Sequence, residues 1–194
     1  MSTEPTRVVV AEDEAIIRLD LKELLEEEGF DVVGETGRGD EAVELVRKLQ
    51  PDLAILDIKM PGLDGLSAAR QITAERLAAV LILTAFSKRD LVEQARDAGA
   101  MSYIVKPFQK SDLIPAIEMA LGLFEQIVSL EHENADLAER LEARKIIDRA
   151  KGRLMDEYSL SEAASWRFLQ KTAMDSRRKI HEVARDVVGG TLVP

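Results

Sequence analysis

The stretch LAILDIKMPGLDG, from Leu53 to Gly65, decides the fold of this 194-residue chain. Its first part, LAILD, is a short apolar run, which is typical of a parallel strand that is covered on both faces. The run ends on a carboxylate, Asp57, and a turn signal, Pro61-Gly62, follows at once. A buried strand with a charged side chain at its end indicates a functional site at that end of the strand.

Strand and helix signals alternate around this stretch over the first 118 residues, which predicts an α/β fold with a five-stranded doubly wound parallel sheet. The predicted strands are Arg7–Glu12, Phe30–Thr36, Asp52–Asp57, Ala78–Ala85 and Ser102–Val105. The predicted helices between them are Ala15–Gly29, Asp40–Gln50, Gly65–Glu75 and Arg89–Ala100.

After Pro107 the pattern is helical, and one long helix is predicted from Ser111 to about Met155. Its middle carries a heptad repeat, here called the seam, formed by Leu123, Ile127, Leu130, Asn134, Leu137 and Leu141. Spacings of four and three, with a single Asn, are typical of a two-stranded coiled coil and favour a dimer. Alternatively, the seam packs within one chain, either antiparallel to another helix or against the α/β part of the same chain.

Two shorter helices are predicted to close the chain. Ser159 to Glu162 fits a capping box before the first of them, and Asp175-Ser176 is expected to cap the second, which Gly189-Gly190 ends. Trp166 shares a helical stripe with apolar neighbours, so packing in a core is favoured over an exposed role.

Composition limits the classes of function. The chain has no cysteine, which excludes disulfides and thiolate metal sites and leads us to expect the cytoplasm. No apolar run of membrane-spanning length and no secretory signal are visible, so no membrane partner is expected. The net charge of −10 argues against general nucleic-acid coating, although residues 141–194 carry eleven basic and eight acidic residues.

Polar side chains follow four of the predicted strands. Glu12-Asp13, Asp57 and Thr84 end three strands, and Lys106 follows the fifth. In an open α/β sheet the carboxyl ends of the strands form the ligand crevice, so these groups are expected to meet. Crowded carboxylates suit Mg²⁺, to which the Lys59 carbonyl is positioned to add an oxygen. Asp57 is then a candidate nucleophile toward a phosphoryl donor, with Lys106 as a second positive charge and Thr84 as a hydrogen-bond donor.

Each of these residues alone would suit an ordinary turn, but the motifs VAEDE, ILDIKMPGLDG, LTA and YIVKPF together resemble the receiver domain of bacterial two-component response regulators. The resemblance covers residues 7 to about 122. It implies a flavodoxin-like fold, Mg²⁺ at Glu12, Asp13, Asp57 and the Lys59 carbonyl, and phosphorylation of Asp57 by a sensor histidine kinase. It also implies a cis peptide bond before Pro107, and switch roles for Thr84 and Tyr103.

The segment from Arg144 to Val188 resembles the ANTAR domain, named for the AmiR and NasR transcription antitermination regulators. The matching residues are Ala150-Lys151-Gly152 with Leu154-Met155, the SEAA of the second helix and the closing EVARDVV. The resemblance implies three helices that bind RNA stem-loops in leader transcripts. The candidate RNA-binding residues are Arg144, Lys145, Arg149, Lys151, Arg153, Arg177, Arg178 and Lys179.

These observations predict a receiver at 1–122, a coiled-coil linker at 123–143 and an ANTAR domain at 144–194. The expected protein is a phosphorylation-switched antitermination regulator that dimerises when phosphorylated. A DNA-binding transcription factor and a protein-interaction adaptor are the alternatives. An enzymatic output is not expected, because the tail has neither a nucleophile–base pair nor a phosphate-binding glycine loop.

Overall fold

The computed structural model describes residues 4–85 and 89–194, and for residues 89–91 it describes the backbone alone. The strands of its parallel sheet are β1 Arg7–Ala11, β2 Asp31–Thr36, β3 Leu53–Asp57, β4 Ala79–Thr84 and β5 Ser102–Val105. Their order across the sheet is β2-β1-β3-β4-β5. The predicted five-stranded, doubly wound α/β fold is confirmed, and β5 has the predicted bounds.

The central strand β3 explains why its sequence is apolar throughout. Ala54 and Leu56 point into one hydrophobic core, and Leu53 and Ile55 point into a second core on the opposite face of the sheet. All four side chains are fully buried, as expected for a parallel strand covered by helices on both faces. Asp57 is therefore presented at the end of a fixed strand.

Seven helices are described outside residues 1–3 and 86–88. They are α1 Ala15–Glu27, α2 Gly39–Leu49, α3 Gly65–Ala74, α4 Arg89–Asp97, α5 Lys110–Tyr158, α6 Glu162–Ser176 and α7 Ile180–Gly189. The long helix α5 starts one residue before the prediction and ends three residues after it. The chain divides into two compact units, Met1–Ser129 and Leu130–Pro194.

The first part of α5 completes the second core of the sheet, because Leu113, Ile117 and Ala120 are fully buried there. Further along, Leu130, Leu137 and Leu141 of the seam are at least half exposed. By length and composition alone, a stretch of α5 also resembles a membrane span. Packing of its buried face against the sheet accounts for part of that apolar character.

The second unit has a hydrophobic core of its own. Ala150 and Leu154 of α5 pack with Leu169 of α6 and Val183 and Val187 of α7. Helix α7 ends at Gly189-Gly190, as the sequence predicted, and Gly190 caps it in the left-handed conformation.

Three predictions for this unit are wrong. Ser161, not Ser159, caps α6, since its side chain accepts a hydrogen bond from the Ala164 amide. Asp175 and Ser176 lie in the last turn of α6, and α7 begins after Lys179, whose amide donates to the Glu182 carboxylate. Trp166 is 40% exposed, because the buried stripe of α6 runs through Ser165, Leu169 and Ala173 instead.

Candidate functional site

The ends of β1 and β3 bring three carboxylates together. Glu12 follows β1 and is fully buried, Asp57 ends β3 and is almost fully buried, and Asp13 is exposed at the rim. One carboxylate oxygen from each lies within 4.8 Å of the others, and no other such group of metal-binding residues occurs in the parts of the chain that the structure describes. Three oxygen ligands at this separation match the donor set that Mg²⁺ prefers.

Lys106 connects the two buried carboxylates. Its Nζ lies 2.5 Å from Glu12 Oε2 and 2.6 Å from Asp57 Oδ1, and its side chain is 11% exposed. The peptide bond between Lys106 and Pro107 is cis, as the receiver resemblance implied. The Lys106 amide donates to the Thr84 carbonyl at 2.7 Å, which anchors the loop after β5 to the end of β4.

The pKa values of this ion pair both rise. Burial raises the pKa of Glu12, and the adjacent Asp57 charge adds to the effect although the Lys106 hydrogen bond opposes it. Burial alone would lower the pKa of Lys106, but hydrogen bonds to Asp57 and Glu12 outweigh it and raise the pKa. Lys106 therefore remains charged at neutral pH and supplies the positive charge that holds the acidic groups together.

The loop after β3 closes over the site. The Lys59 amide donates to Asp57 Oδ2 at 2.7 Å, and the Gly65 amide donates to the Ile58 carbonyl at 2.9 Å. A Cβ atom added to Gly65 would lie 1.9 Å from the Asp57 carbonyl oxygen, so only glycine permits this closure. Sequence reasoning assigned Gly65 only to a helix start, because a close backbone approach leaves no local signal.

A cavity of about 180 Å³ opens in front of Asp57. Its lining residues are Asp13, Glu14, Asp57, Ile58, Lys59, Thr84, Ala85 and Lys106. At about 30 Å³ per water molecule, this space is large enough for a phosphoryl group or for a hydrated cation.

Thr84 and Tyr103, the two residues with predicted switch roles, lie on neighbouring strands. Thr84 is buried at the end of β4, and Tyr103 on the neighbouring strand β5 is 45% exposed. Both line one small crevice that also includes Ala95 of α4. Thr84 and Tyr103 therefore border the same crevice, and their switch roles stay a prediction.

Four of the eight candidate RNA-binding residues form ion pairs or hydrogen bonds with other residues of the second unit. Lys145 pairs with Glu142 at 2.7 Å, and Lys151 bridges Asp148 at 3.0 Å and Glu162 at 3.1 Å.

The other two of these four, Arg153 and Arg178, contact residues of α7. Arg153 donates to the Val187 and Val188 carbonyls at 3.1 and 2.8 Å, where it caps the end of α7. Arg178 pairs with Asp186 at 2.7 Å.

The remaining four candidates are exposed and have no side-chain ion pair or hydrogen bond within residues 4–85 and 89–194. They are Arg144, Arg149, Arg177 and Lys179. The structure thus separates cations that stabilise the domain from cations that are available to a partner.

A five-stranded parallel sheet with an acidic pocket, a bridging lysine and a buried threonine at its carboxyl edge defines a receiver domain. Comparison with family models agrees: residues 8–118 match the response regulator receiver domain, and residues 135–188 match the ANTAR domain. The chain belongs to the two-component response regulators, and within them to those that act in transcription antitermination.

A close relative supports this assignment along nearly the whole chain. The transcriptional regulatory protein PdtaR of Mycobacterium tuberculosis is 54% identical over 184 residues, which cover 95% of this chain and 90% of the relative. The chemotaxis protein CheY of Thermotoga maritima is 37% identical over 112 residues, which cover 57% of this chain and 93% of that protein.

Solved structures match the first unit. The receiver domain of the response regulator NarL from Mycobacterium tuberculosis superposes with a TM-score of 0.59 at 30% identity, covering 61% of this chain and 98% of that one. CheY of Borrelia burgdorferi, in a complex with CheX, BeF₃ and Mg²⁺, superposes with a TM-score of 0.56 at 26% identity, covering 62% and 90%.

Proposed function

We propose that Asp57 accepts a phosphoryl group from a phosphorylated histidine of a sensor kinase. A carboxylate oxygen of Asp57 attacks phosphorus, the bond between phosphorus and the histidine nitrogen breaks, and the imidazole leaves. The observation that carries this proposal is that Asp57 and Lys106, which form an ion pair, line one cavity, while Lys106 also pairs with the buried Glu12.

The residues around the cavity have separate roles in this step. Glu12, Asp13, Asp57 and the Lys59 carbonyl would hold Mg²⁺, which neutralises charge on the phosphoryl oxygens when it is bound. The Lys59 amide orients Asp57 through its 2.7 Å hydrogen bond. Lys106 offers a second positive charge to the phosphoryl oxygens, and Thr84 offers a hydroxyl. The solved Borrelia complex of CheY with CheX, BeF₃ and Mg²⁺ supports a metal-dependent phosphoryl site in this fold.

Mass spectrometry of the intact chain tests this step. After incubation with acetyl phosphate and Mg²⁺, the wild type should gain one phosphoryl group, and Asp57→Asn should gain none. Asp64→Asn is the matched control, since it removes a carboxylate from the same loop but keeps the helix cap, and it should still be phosphorylated. Equal labelling of wild type and Asp57→Asn would exclude Asp57 as the acceptor.

We also propose that the second unit binds RNA stem-loops of leader transcripts, using some or all of the eight basic candidates, and that phosphorylation favours a dimer through the seam. Exposure of Leu130, Leu137 and Leu141 supports the dimer, because a monomer leaves this stripe in water. Dimerisation would let two ANTAR units bind paired stem-loops with a gain in effective concentration. The boundaries 1–122, 123–143 and 144–194, a cytoplasmic location and a purely regulatory output complete the proposal.

Crosslinking of the chain to RNA in cells, followed by sequencing, tests the RNA proposal. Recovery of leader transcripts with tandem hairpins, enriched by a phosphodonor, is the expected result. Duplex DNA should compete poorly at equal salt, whereas efficient competition by DNA would favour a DNA-binding regulator. Absence of any bound nucleic acid would favour a protein-interaction adaptor.

Light scattering on the phosphorylated chain tests the dimer. Leu137→Asp should yield a monomer, because it places a charge in the seam. Glu139→Gln changes an exposed position on the same helix that lies outside the seam, and it should leave the dimer intact. A dimer that survives Leu137→Asp would exclude the seam as the interface.

A further inference from the structure

The only tryptophan of the chain, Trp166, lies on the surface of the ANTAR domain. Its side chain is 40% exposed, although Leu169 and Ala173 on the same helix are buried in the core of this unit. A large aromatic ring in water is an informative exception in a small domain, because burial of such a side chain is strongly favourable.

A stripe of α5 in the same unit carries two further exposed apolar side chains. Arg144, Lys151, Met155 and Tyr158 follow one another at intervals of seven, four and three residues, which aligns them on one side of the helix. Met155 is 40% exposed and Tyr158 is 39% exposed.

An ion pair joins this stripe to the helix of Trp166. Lys151 Nζ lies 3.1 Å from Glu162 Oε1, and Glu162 precedes Trp166 by one helical turn, so that both project from the same side of α6. Met155 and Tyr158 follow Lys151 along α5, and Trp166 follows Glu162 along α6. We call these three exposed side chains, together with the ion pair between their helices, the aromatic patch.

Two basic residues on the same side of α5 accompany the aromatic patch. Arg144, on the same stripe of α5, is exposed and has no side-chain ion pair within the described residues. Lys151 holds Asp148 and Glu162 in ion pairs, which reduces the repulsion that these carboxylates would exert on a phosphate. Exposed rings and an exposed cation on one side of a helix suit RNA, because the rings stack on unpaired bases and the cation contacts a phosphate of the same strand.

We propose that Trp166 and Tyr158 stack on unpaired loop bases of the RNA, and that Arg144, about 21 Å from Tyr158 along α5, contacts the backbone several nucleotides away. This inference rests on the proposed RNA-binding function and names the surface through which it acts. It also divides the basic candidates, because Arg149 lies five residues from Arg144 and therefore projects from a different side of α5.

A second copy of this chain is the competing occupant. The stripe of α5 that carries Met155 and Tyr158 continues the line of the seam. Its first residue, Arg144, follows Leu141 of the seam by three residues, which matches the spacing of four and three within the seam. The like charges of Arg144 at the end of that line oppose a tight coil there. The experiment therefore has to separate RNA from dimerisation.

Fluorescence provides that separation, because Trp166 is the sole tryptophan. The titrated probe is an RNA of two tandem hairpins recovered by crosslinking, compared with the same RNA whose loop nucleotides are abasic. Stacking should quench Trp166 emission with the intact loops and should leave it nearly unchanged with the abasic loops. Phosphodonor alone, without RNA, should not shift the emission.

Affinity measurements on variants complete the test. Trp166→Leu should weaken binding of the intact RNA on the order of tenfold, and Trp166→Phe should retain most of the affinity. The Trp166→Leu variant should no longer distinguish intact from abasic loops. Met174→Leu, at a 73% exposed position of the same helix, is the control and should bind like the wild type. Circular dichroism checks that each variant is folded.

Three outcomes would overturn the inference. Tight RNA binding without quenching, and with unchanged affinity in Trp166→Leu, would place the RNA elsewhere and leave the RNA function intact. An emission shift on phosphorylation alone would assign the aromatic patch to a second copy of the chain. Failure of the wild type to bind the RNA would remove both the inference and the proposed RNA function.

Discussion

Replacement of Lys106 by Met removes the charge that connects the two buried carboxylates and keeps most of the side-chain volume. Lys106 Nζ lies 2.5 Å from Glu12 and 2.6 Å from Asp57, and all three side chains are nearly inaccessible to water. Loss of one partner from a buried ion pair destabilises a protein by about 3–5 kcal/mol. Because the cavity opens to solvent on one side, we expect the lower value, about 3 kcal/mol, in the absence of divalent metal.

Thermal and urea unfolding measure this loss. For a chain of this size, about 3 kcal/mol corresponds to a decrease in Tm of roughly 10 °C. Saturating Mg²⁺ should restore much of the difference, because a cation held by Glu12, Asp13 and Asp57 replaces the missing charge. Far-UV circular dichroism follows the whole chain, whereas Trp166 emission reports on the second unit and should change less.

Lys110→Met is the matched control, since Lys110 forms an ion pair with Glu28 and its side chain is 60% exposed. An exposed pair contributes at most about 1 kcal/mol, so this variant should unfold close to the wild type. Equal stability of Lys106→Met and wild type without metal would refute the reasoning. A large loss that Mg²⁺ does not reduce would show that the carboxylates do not bind the cation together.

Three further predictions concern other parts of the chain. Asp64→Ala removes the cap of α3 and should cost about 1 kcal/mol in urea unfolding at pH 7. Burial would raise the pKa of Asp64, but hydrogen bonds from the amide and hydroxyl of Ser67 outweigh it and lower the pKa, so this cost should shrink as the pH falls below about 4. Ser165→Ala should leave the second unit unchanged or more stable by Trp166 emission, because the buried hydroxyl has no hydrogen-bond partner among the described residues. Arg153→Met should destabilise the same unit by about 1–3 kcal/mol, since it removes the donors to the Val187 and Val188 carbonyls, and the same emission measures it.

The sheet was predictable because its signals are local and repeated. The apolar run before Asp57 is long enough for one strand, too short for a helix, and bounded by Pro51 and Pro61. The parallel arrangement then follows from alternation with helices, and it places all strand ends at one edge. The strand-end residues of the site were therefore accessible to sequence reasoning before any distance was known.

Other features depend on contacts that no local pattern contains. Lys106 and Glu12 are 94 residues apart, and their direct ion pair depends on the complete sheet. The N-terminal cap of α6 was predicted at Ser159 from the spacing to Glu162, but the helix begins at Glu162 and Ser161 caps it, because helix ends are poorly fixed by local sequence.

The burial of Trp166 was predicted wrongly for a related reason. Its helix packs against two partners, so the buried stripe is set by their positions and passes through Ser165 rather than through the largest apolar residue. Spacing alone cannot locate such a stripe, because a rotation of α6 by one residue turns its buried side by about 100°.

The coupling of Asp57 phosphorylation to RNA binding is the central claim of this account. Its most direct test is a gel-shift titration of leader RNA with wild type and Asp57→Asn, each with and without acetyl phosphate and Mg²⁺. We predict that the phosphodonor increases the affinity of the wild type and leaves that of Asp57→Asn unchanged. An equal response of both proteins, or no response of a wild type shown by mass spectrometry to be phosphorylated, would contradict it.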